Sequence, residues 1–268
     1  MLDLLQITND PAMARRCDAL PGMRLFVDLE RLGKAQRQAG RDTFISSHQI
    51  DDVGRIKAVL RHTRLMVRVN PLNAATSAEL DAVLAQGADL LMLPMFADAA
   101  TLRQFCALVA GRAPVVALLE TGGALDTLAQ WIDTPGLAEV YVGLNDLHLS
   151  LGLRFMFEPL AQGVVEQVAL AASTRGLRFG FGGMAQLNEG LLPGRDVLAE
   201  HLRLGSSAVI LSRTFHRSEN SQRFEGQVAA LRQAELALAE RSGAQIEADR
   251  LRIRHTIEQI ASRLPAQA

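Results

Sequence analysis

Apolar residues occur along the chain in short unbroken runs, and most runs are followed by a stretch with apolar residues at helical spacing. An apolar run without alternation predicts a strand that is buried on both faces, as in a parallel sheet. We predict eight such strands, at residues 2–7, 24–29, 65–69, 89–93, 115–120, 177–180 and 208–211, with the sixth inside EVYVGLNDLHLSLGL at 139–153. Eight strands that alternate with helices over 268 residues predict an α/β fold, a (β/α)8 TIM barrel with extra C-terminal helices.

The fifth and sixth predicted strands each lead to a carboxylate. Glu120 closes the fifth, Asp146 follows the sixth, and residues 124–132 between them have the spacing of a helix. The C-terminal ends of neighbouring barrel strands lie side by side on the face that carries catalysis. Two oxygen ligands on one open pocket suit Mg2+, which keeps waters and accepts substrate oxygens. The alternative is that both acids cap the helices that follow them, although Glu120 would be a poor cap.

Four further polar residues follow predicted strands or precede a predicted helix. Arg68 ends the third strand and suits a substrate carboxylate or an enolate oxygen; the alternative is a surface arginine paired with a nearby acid. Asp28 and Glu30 follow the second strand. They could orient the metal ligands or the metal-bound waters without contacting the ion, and the alternative is that they belong to a solvated loop. His48 is a candidate acid or base, because an unshifted histidine titrates near neutrality, and the alternative is a capping or otherwise satisfied histidine.

A cluster of glycines follows the seventh predicted strand. Gly182 and Gly183 could let a substrate anion approach backbone N–H groups, as phosphate sites of barrels do after strands seven and eight. The alternative is that a sharp turn requires these glycines.

The composition narrows the classes of protein to consider. The net charge is −1, which gives no strong attraction to nucleic acid or to a membrane surface. One Trp and one Tyr leave few rings for base stacking, and no apolar run is long enough to span a bilayer. The N-terminal residues lack the basic region of a signal peptide, and Cys17 and Cys106 are most simply reduced thiols. We therefore expect a soluble cytoplasmic protein with no nucleic-acid or membrane partner.

Lysine is rare in this chain. Lys34 and Lys57 are the two lysines, and neither ends a predicted buried strand. An aldolase that forms an imine in a barrel needs a desolvated lysine at a strand end. If the protein handles carbon–carbon bonds, a metal ion must therefore replace the imine as the electron sink.

Four motifs occur in order along the chain: VRVNP at 67–71, GADLLMLPM at 87–95, LLET at 118–121 and VGLNDLHLSLG at 142–152. Together they resemble the HpcH/HpaI aldolase and citrate lyase beta-subunit family, over roughly residues 1–215. The resemblance implies a pyruvate/phosphoenolpyruvate-type TIM barrel, a divalent ion on Glu120 and Asp146, and a substrate carboxylate or enolate on Arg68. It also implies cleavage or formation of carbon–carbon bonds through a metal-bound enolate of pyruvate or of an acyl thioester.

The sequence departs from both branches of that family. The citrate lyase branch has Asp-Leu-Glu-Asp after strand two, and here Asp-Leu-Glu at 28–30 is followed by Arg31. The aldolase branch has Gly-Glu-His before a helix, and here Ser-Ser-His at 46–48 keeps the histidine and lacks the acid. The two departures leave the substrate class and the identity of the acid or base open.

These features predict a divalent-metal-dependent carbon–carbon lyase or aldolase that acts on pyruvate or a related 2-keto acid. Mg2+, Mn2+ or another divalent cation would be its cofactor, and His48 or a metal-bound water would move the proton. One alternative is a Claisen-type lyase on an acyl-CoA thioester, in which a phosphate would meet the loop around Arg31 and Lys34. The other is a catalytically silent barrel that binds a keto acid or a partner protein.

Two helices are predicted after the last strand, with a break at Ser242. We take residues 1–217 as the barrel catalytic domain and residues 218–268 as a helical extension. The second helix carries an apolar stripe of Ile253, Ile257, Ile260 and Leu264. Such a stripe must pack against its own barrel or against a neighbouring subunit. The family resemblance implies trimers or hexamers that exchange C-terminal helices, so we expect a homo-oligomer.

Overall fold

The computed structural model describes residues 1–34, 46–212, 215 and 222–265, with the backbone alone for residues 222 and 223. The predicted boundary between the barrel domain and the helical extension, at residues 217 and 218, therefore lies outside the described residues. Within the described ranges, no helix is both long enough and apolar enough to cross a membrane.

Eight strands alternate with helices, as the sequence predicted. The strands are β1 (Asp3–Ile7), β2 (Met23–Asp28), β3 (Leu65–Arg68), β4 (Leu90–Leu93), β5 (Val115–Leu119), β6 (Leu137–Val142), β7 (Arg178–Met184) and β8 (Ala208–Leu211). They follow one another in sequence order in a closed barrel, which confirms the (β/α)8 prediction. The bounds of the strands other than β6, for which only a stretch was predicted, lie within about two residues of the predicted ones, except that β7 runs further.

The helices of the described ranges are α1 (Pro11–Asp18), α2 (Ile50–Lys57), α3 (Thr76–Ala85), α4 (Ala99–Val109), α5 (Gly122–Asp126), α6 (Leu128–Trp131), α7 (Leu144–Ser150), α8 (Glu158–Ala161), α9 (Val164–Thr174), α10 (Gly194–Arg203), α11 (Gln222–Ala239) and α12 (Gly243–Arg263). Hydrogen bonds to capping side chains stabilise the N-termini of several of these helices. Asp10 accepts a hydrogen bond from the N–H of Ala12 at 2.8 Å before α1, and Asp98 accepts one from Thr101 at 2.8 Å before α4.

The helix predicted at residues 124–132 is instead two short helices, α5 and α6, which meet at Thr127. The indole Nε1 of Trp131 donates to the carbonyl of Ala124 at 2.7 Å. In a continuous helix that carbonyl would accept from the N–H four residues on. The hydroxyl of Thr127 also donates to the carbonyl of Gly123 at 2.7 Å, a contact of the kind that bends helices. Apolar spacing alone carries no sign of either side-chain bond.

The chain forms two compact units. The N-terminal unit is Leu5–Tyr141, and the C-terminal unit is Met1–Leu4 with Val142–Ala268. The predicted boundary at residue 217 between a barrel domain and a helical extension stays a prediction.

In the N-terminal unit, β2 to β5 pair in parallel and bury their apolar residues. Asp28 lies opposite Arg68 in the register of β2 with β3, and Arg68 lies opposite Met92 in the register of β3 with β4. The register therefore places the last residues of β2 and β3 side by side at their C-terminal ends.

The apolar stripe of α12 is partly buried within its own unit. Ile253 and Ile257 are 1% and 0% exposed, and α12 packs on α8 and α10. Ile260 and Leu264 are half-buried. The alternative in which the helix folds back over its own chain thus accounts for the first half of the stripe, and exchange between subunits stays a prediction.

Ending the chain after Ser242 is expected to lower the free energy of unfolding, because the surfaces of α8 and α10 beneath Ile253 and Ile257 would be uncovered. Full burial of one isoleucine side chain contributes about 1.5–3 kcal/mol. The melting temperature and the mass by light scattering, measured on both chains, separate packing from assembly. An unchanged melting temperature with a lower mass would contradict this expectation and support subunit exchange. Leu251→Ser is the control, since Leu251 is 51% exposed.

Candidate active site

The guanidinium of Arg68 is held by the carboxylate of Asp28 at the C-terminal ends of β2 and β3. Arg68 Nε donates to Asp28 Oδ1 at 2.9 Å, and Nη2 donates to Oδ2 at 2.8 Å. The guanidinium carbon lies 5.6 Å from the centre of the Phe26 ring. Two parallel charge-assisted bonds fix the plane of the group. Its remaining nitrogen, Nη1, has no hydrogen-bond partner in the part of the chain that the structure describes.

Lys34 and Glu30 join Asp28 and Arg68 in a buried set that we call the charged cluster. Lys34 Nζ lies 2.9 Å from Asp28 Oδ2 and 3.3 Å from Glu30 Oε2, and Arg68 Nε lies 3.4 Å from the same Glu30 oxygen. Asp28, Glu30 and Lys34 are 4%, 2% and 4% exposed. The solvated-loop alternative for the two acids is therefore wrong. Because the cluster contains two carboxylates and two cationic side chains, its formal net charge is zero.

The charges of the cluster shift the pKa values of Asp28 and Arg68 strongly. Burial alone would raise the pKa of Asp28, but Arg68 and Lys34 outweigh it and hold that pKa well below its usual value. Burial also opposes the charged form of Arg68, but Asp28, Glu30 and Glu120 outweigh it and raise its pKa. Asp28 and Arg68 therefore stay charged throughout the neutral range. The effect of Glu120 means that its carboxylate lies within electrostatic reach of Arg68.

The sequence reasoning placed Lys34 in a loop that would meet a phosphate and missed its place between Asp28 and Glu30. A lysine four residues after Glu30 was the available signal, since the two side chains form an ion pair. Lys34 is nevertheless unsuited to form an imine, because an imine-forming lysine must present a free amine and Lys34 lies between two carboxylates. Lys57 is paired with Asp89, with N–O distances of 2.7 and 2.6 Å. Both ion pairs support the prediction of chemistry without an imine.

His48 lies against the charged cluster and is held from three sides. Its Nδ1 accepts a hydrogen bond from the backbone N–H of Asp28 at 3.1 Å. The backbone N–H of His48 donates to the hydroxyl of Ser46 at 3.1 Å. The backbone carbonyl of His48 accepts a hydrogen bond from Arg31 Nη2 at 2.8 Å. Gln49, not His48, is the N-cap of α2, and the hydrogen bond at Nδ1 is what the alternative of an otherwise satisfied histidine predicts. His48 contacts Asp28, which in turn holds Arg68, and its role as acid or base stays a prediction.

Asn70 fastens the loop that follows β2, and the sequence reasoning missed this role. Its Oδ1 accepts from the backbone N–H groups of Arg31 and Leu32 at 2.9 and 3.0 Å. Its Nδ2 donates to Glu79 Oε1 at 2.8 Å. An asparagine directly after a buried strand and before a proline was the available signal. Asn70 therefore holds the backbone between Glu30 and Lys34 of the charged cluster.

Glu120 follows β5 and is 3% exposed. Its Oε1 accepts a hydrogen bond from the backbone N–H of Met95 at 3.0 Å. Met95 has φ of 55°, a left-handed conformation that costs roughly 1–3 kcal/mol for a residue with a side chain. The capping alternative for Glu120 is wrong, because Thr121 caps α5 through its own side chain.

The loops after β4 and β5 pack closely and so position Glu120. The hydroxyl of Thr121 donates to the carbonyl of Phe96 at 2.8 Å. A Cβ added to Gly123 would lie 2.6 Å from the carbonyl oxygen of Ala97. No side chain larger than glycine therefore fits at 123 without a shift of the loops.

Asp146 lies in the C-terminal unit, in the first turn of α7. β6 ends at Val142, so Asp146 is not at a strand end as predicted but inside the helix that follows. Gly143 is the cap of this helix, and the first turn is a place where the helix dipole favours an acid. Asp146 is half-buried.

Gly182 and Gly183 lie inside β7, which runs to Met184, so their predicted place in a loop after the strand is wrong. The pairing of β7 with β8 shifts register between Gly180 and Gly183. Gly182 has φ of 57°, and a Cβ there would lie 2.9 Å from Cδ1 of Leu144. The irregular pairing of β7 and the close contact with Leu144 thus explain why position 182 requires a glycine. A role of either residue in substrate binding stays a prediction.

The carboxylate of Glu120 is a ligand type that a divalent cation such as Mg2+ accepts, and the same holds, taken by itself, for the carboxylate of Asp146. The Met95 N–H already orients one oxygen of the buried Glu120, as outer partners of ligating carboxylates commonly do. Among the described residues, no group of three or more His, Cys, Asp or Glu could hold a metal ion.

The model of the HpcH/HpaI aldolase/citrate lyase family matches residues 8–180. Comparison with curated proteins gives no match.

Solved structures of low sequence identity share the fold. An HpcH/HpaI aldolase/citrate lyase family protein from Burkholderia cenocepacia J2315 is 16% identical with a TM-score of 0.63, over 87% of this chain and 93% of that chain. An HpcH/HpaI aldolase from Desulfitobacterium hafniense DCB-2 is 15% identical with a TM-score of 0.61, over 90% and 94%. The citrate synthase SbnG is 16% identical with a TM-score of 0.60, over 88% and 93%.

Proposed function

Because the chain belongs to the HpcH/HpaI aldolase/citrate lyase family, a family of lyase and aldolase type, we propose that it breaks or forms a carbon–carbon bond in pyruvate or a related 2-keto acid with the help of a divalent ion. One observation carries the narrower proposal. Arg68 is a permanently charged guanidinium, fixed by Asp28 within electrostatic reach of Glu120, with Nη1 left for a ligand.

The ligand that best suits the open donor of Arg68 is a carboxylate or enolate oxygen of the substrate. Negative charge develops on such an oxygen when a bond next to a carbonyl breaks, and a cation fixed in advance stabilises that charge. Asp28 holds two nitrogens of the guanidinium, so Arg68 needs no rearrangement as the charge appears. We therefore propose that Asp28 and Glu30 act on Arg68, as its supports, and do not contact the ion themselves.

We propose Glu120 and Asp146 as the protein ligands of Mg2+, Mn2+ or another divalent ion. The pairing of these two residues is based on the motifs LLET and VGLNDLHLSLG that carry them. When bound, the ion would supply a Lewis acid for the oxygen on which charge develops. The Met95 N–H holds one oxygen of Glu120, so this carboxylate is oriented by the chain itself.

The alternative of a Claisen-type lyase drew on Arg31 and Lys34 as partners of a phosphate. Lys34 is 4% exposed and lies between Asp28 and Glu30. Arg31 donates through Nη2 to the carbonyl of His48. Both cations are thus engaged within the chain, which favours the 2-keto acid over the acyl-CoA thioester.

Turnover assays on metal-stripped protein test the proposal. Pyruvate is offered with a panel of aldehydes, and acetyl-CoA with glyoxylate, each with Mg2+, with Mn2+ or with chelator. We expect a carbon–carbon product from pyruvate in the presence of metal. Borohydride added with pyruvate should leave the intact mass unchanged, because Lys34 and Lys57 are both ion-paired.

Each other outcome has a definite meaning. Product from the thioester alone would support the Claisen-type lyase, and binding of pyruvate without any product would support the catalytically silent barrel. Turnover that survives chelation, or a covalent adduct on either lysine, would contradict the metal-dependent chemistry.

A further inference from the structure

The hydrogen bond at Nδ1 decides which tautomer of His48 this structure holds. The partner at 3.1 Å is the backbone N–H of Asp28, and a backbone N–H is always a donor. Nδ1 must therefore carry a lone pair. A neutral imidazole with its lone pair on Nδ1 has its proton on Nε2.

Protonation of His48 is opposed on several sides. A proton on Nδ1 would point at the N–H of Asp28 and replace a hydrogen bond with a repulsive contact. The ring is 6% exposed, so its charged form would be poorly hydrated. Burial lowers the pKa of His48; Asp28 opposes that shift, and the positive charges of Lys34 and Arg31 add to it. The negative charge of Asp28 is itself balanced by Arg68 and Lys34.

A histidine fixed in this state has lost both halves of acid–base chemistry. It is a poor base, because the lone pair of Nδ1 is engaged and Nε2 already carries its proton. It is a poor acid, because loss of the Nε2 proton would leave an imidazolate. It keeps one chemical capacity, the donation of a hydrogen bond from Nε2–H. No described residue accepts that bond.

We propose that His48 stays neutral throughout the reaction and donates a hydrogen bond from Nε2–H to an anionic oxygen of the substrate. This rests on the proposed function, since the oxygen is the carboxylate or enolate oxygen of the 2-keto acid. A neutral donor aimed at a developing oxyanion strengthens as the charge grows and transfers no proton. The proton of the reaction must then move through another group, and the candidate role of His48 as acid or base is replaced by that of a fixed donor.

Three substitutions separate a donor from a proton carrier. Glutamine can accept from the Asp28 N–H with its oxygen and donate with its amide nitrogen, but it cannot titrate near neutrality. Asparagine is shorter and cannot span both positions, and alanine offers neither. We expect His48→Gln to keep turnover within about tenfold of the unmodified protein, and His48→Asn and His48→Ala to lose about 10²–10³-fold. Equal loss in the glutamine and alanine variants, with all three folded by melting temperature, would overturn the proposal.

The tautomer is measured directly by 15N NMR of histidine-labelled protein, without any substrate. His48 is assigned among the 6 histidines by the signals missing from His48→Gln. We expect a pyridine-type Nδ1 and a pyrrole-type Nε2 that persist when the pH is lowered to about one unit below the ordinary histidine pKa of about 6.5. A proton on Nδ1, or titration of His48 near that ordinary value, would overturn the proposal. If no carbon–carbon turnover is found, the proposed function fails, while this measurement still decides the state of His48.

Discussion

Glu120→Gln is expected to abolish binding of Mg2+ and Mn2+ while the fold survives. Glutamine keeps the volume of the side chain, and its carbonyl oxygen can still accept from the Met95 N–H, so the packing of the loops after β4 and β5 is retained. What is lost is the negative charge that a divalent cation requires of its few protein ligands. Asp146→Asn is expected to have the same effect, since it makes the same change at the second proposed ligand.

Calorimetric titration of metal-stripped protein measures this loss. Asp126→Asn is a matched control, because Asp126 lies near Glu120 in the sequence, is exposed and is not a proposed ligand. The control should bind like the unmodified protein, and both ligand variants should give no binding heat. Affinity in Glu120→Gln equal to that of the control would remove Glu120 from the metal site.

Arg68→Lys is expected to lower turnover by about 10²–10³-fold, the loss seen when one preorganised oxyanion donor is removed. The structure gives a reason that the sequence did not. Nε and Nη2 of the guanidinium both donate to Asp28. Nη1 is then the nitrogen that can donate a hydrogen bond to the substrate. A lysine ammonium cannot hold both Asp28 oxygens and still present a donor in a fixed direction.

Lys34→Gln provides the matched comparison. It removes a buried cation from the same two acids, and breaking a buried ion pair costs about 3–5 kcal/mol of stability. We expect this variant to lose more melting temperature than Arg68→Lys and less turnover, measured under the same steady-state conditions. Unchanged turnover in Arg68→Lys would contradict a substrate-binding role for that residue.

The pH dependence of the cluster has a definite sign. The folded pKa of Asp28 lies below its unfolded value of about 3.9, so the stability from its ion pairs is fully present above that value. That stability is lost as the pH falls from there toward the folded pKa. At neutral pH the ion pairs of Asp28 in the unmodified protein therefore contribute their full stability.

Apolar runs were sufficient to predict the strands, because strands buried on both faces must be continuously apolar. The polar residues at the strand ends were sufficient to predict that Asp28 and Arg68 lie close together, since each ends one of two neighbouring strands. Their pairing with each other was not predictable, because it depends on the side-chain direction and register. The buried position of Lys34 was missed for a related reason. A polar stretch of sequence predicts a solvent-exposed loop, whether its charged side chains point to solvent or to the protein interior.

Other details depend on single hydrogen bonds that leave no pattern in the sequence. The break at Thr127 follows from the hydrogen bond of the Trp131 indole to the carbonyl of Ala124. The tautomer of His48 follows from one backbone N–H. Asp146 was predicted to follow directly on the sixth strand, but α7 already begins at Leu144.

The central claim is that this protein stabilises the enolate of a 2-keto acid, and hydrogen exchange of pyruvate in D2O tests it most directly because no acceptor aldehyde is needed. The methyl signal of pyruvate is followed by proton NMR with metal, with chelator and with Glu120→Gln. We predict that the signal decays with Mg2+ or Mn2+ and persists with chelator and in the variant. A signal that persists with every divalent ion, or that decays equally in Glu120→Gln, would contradict the claim.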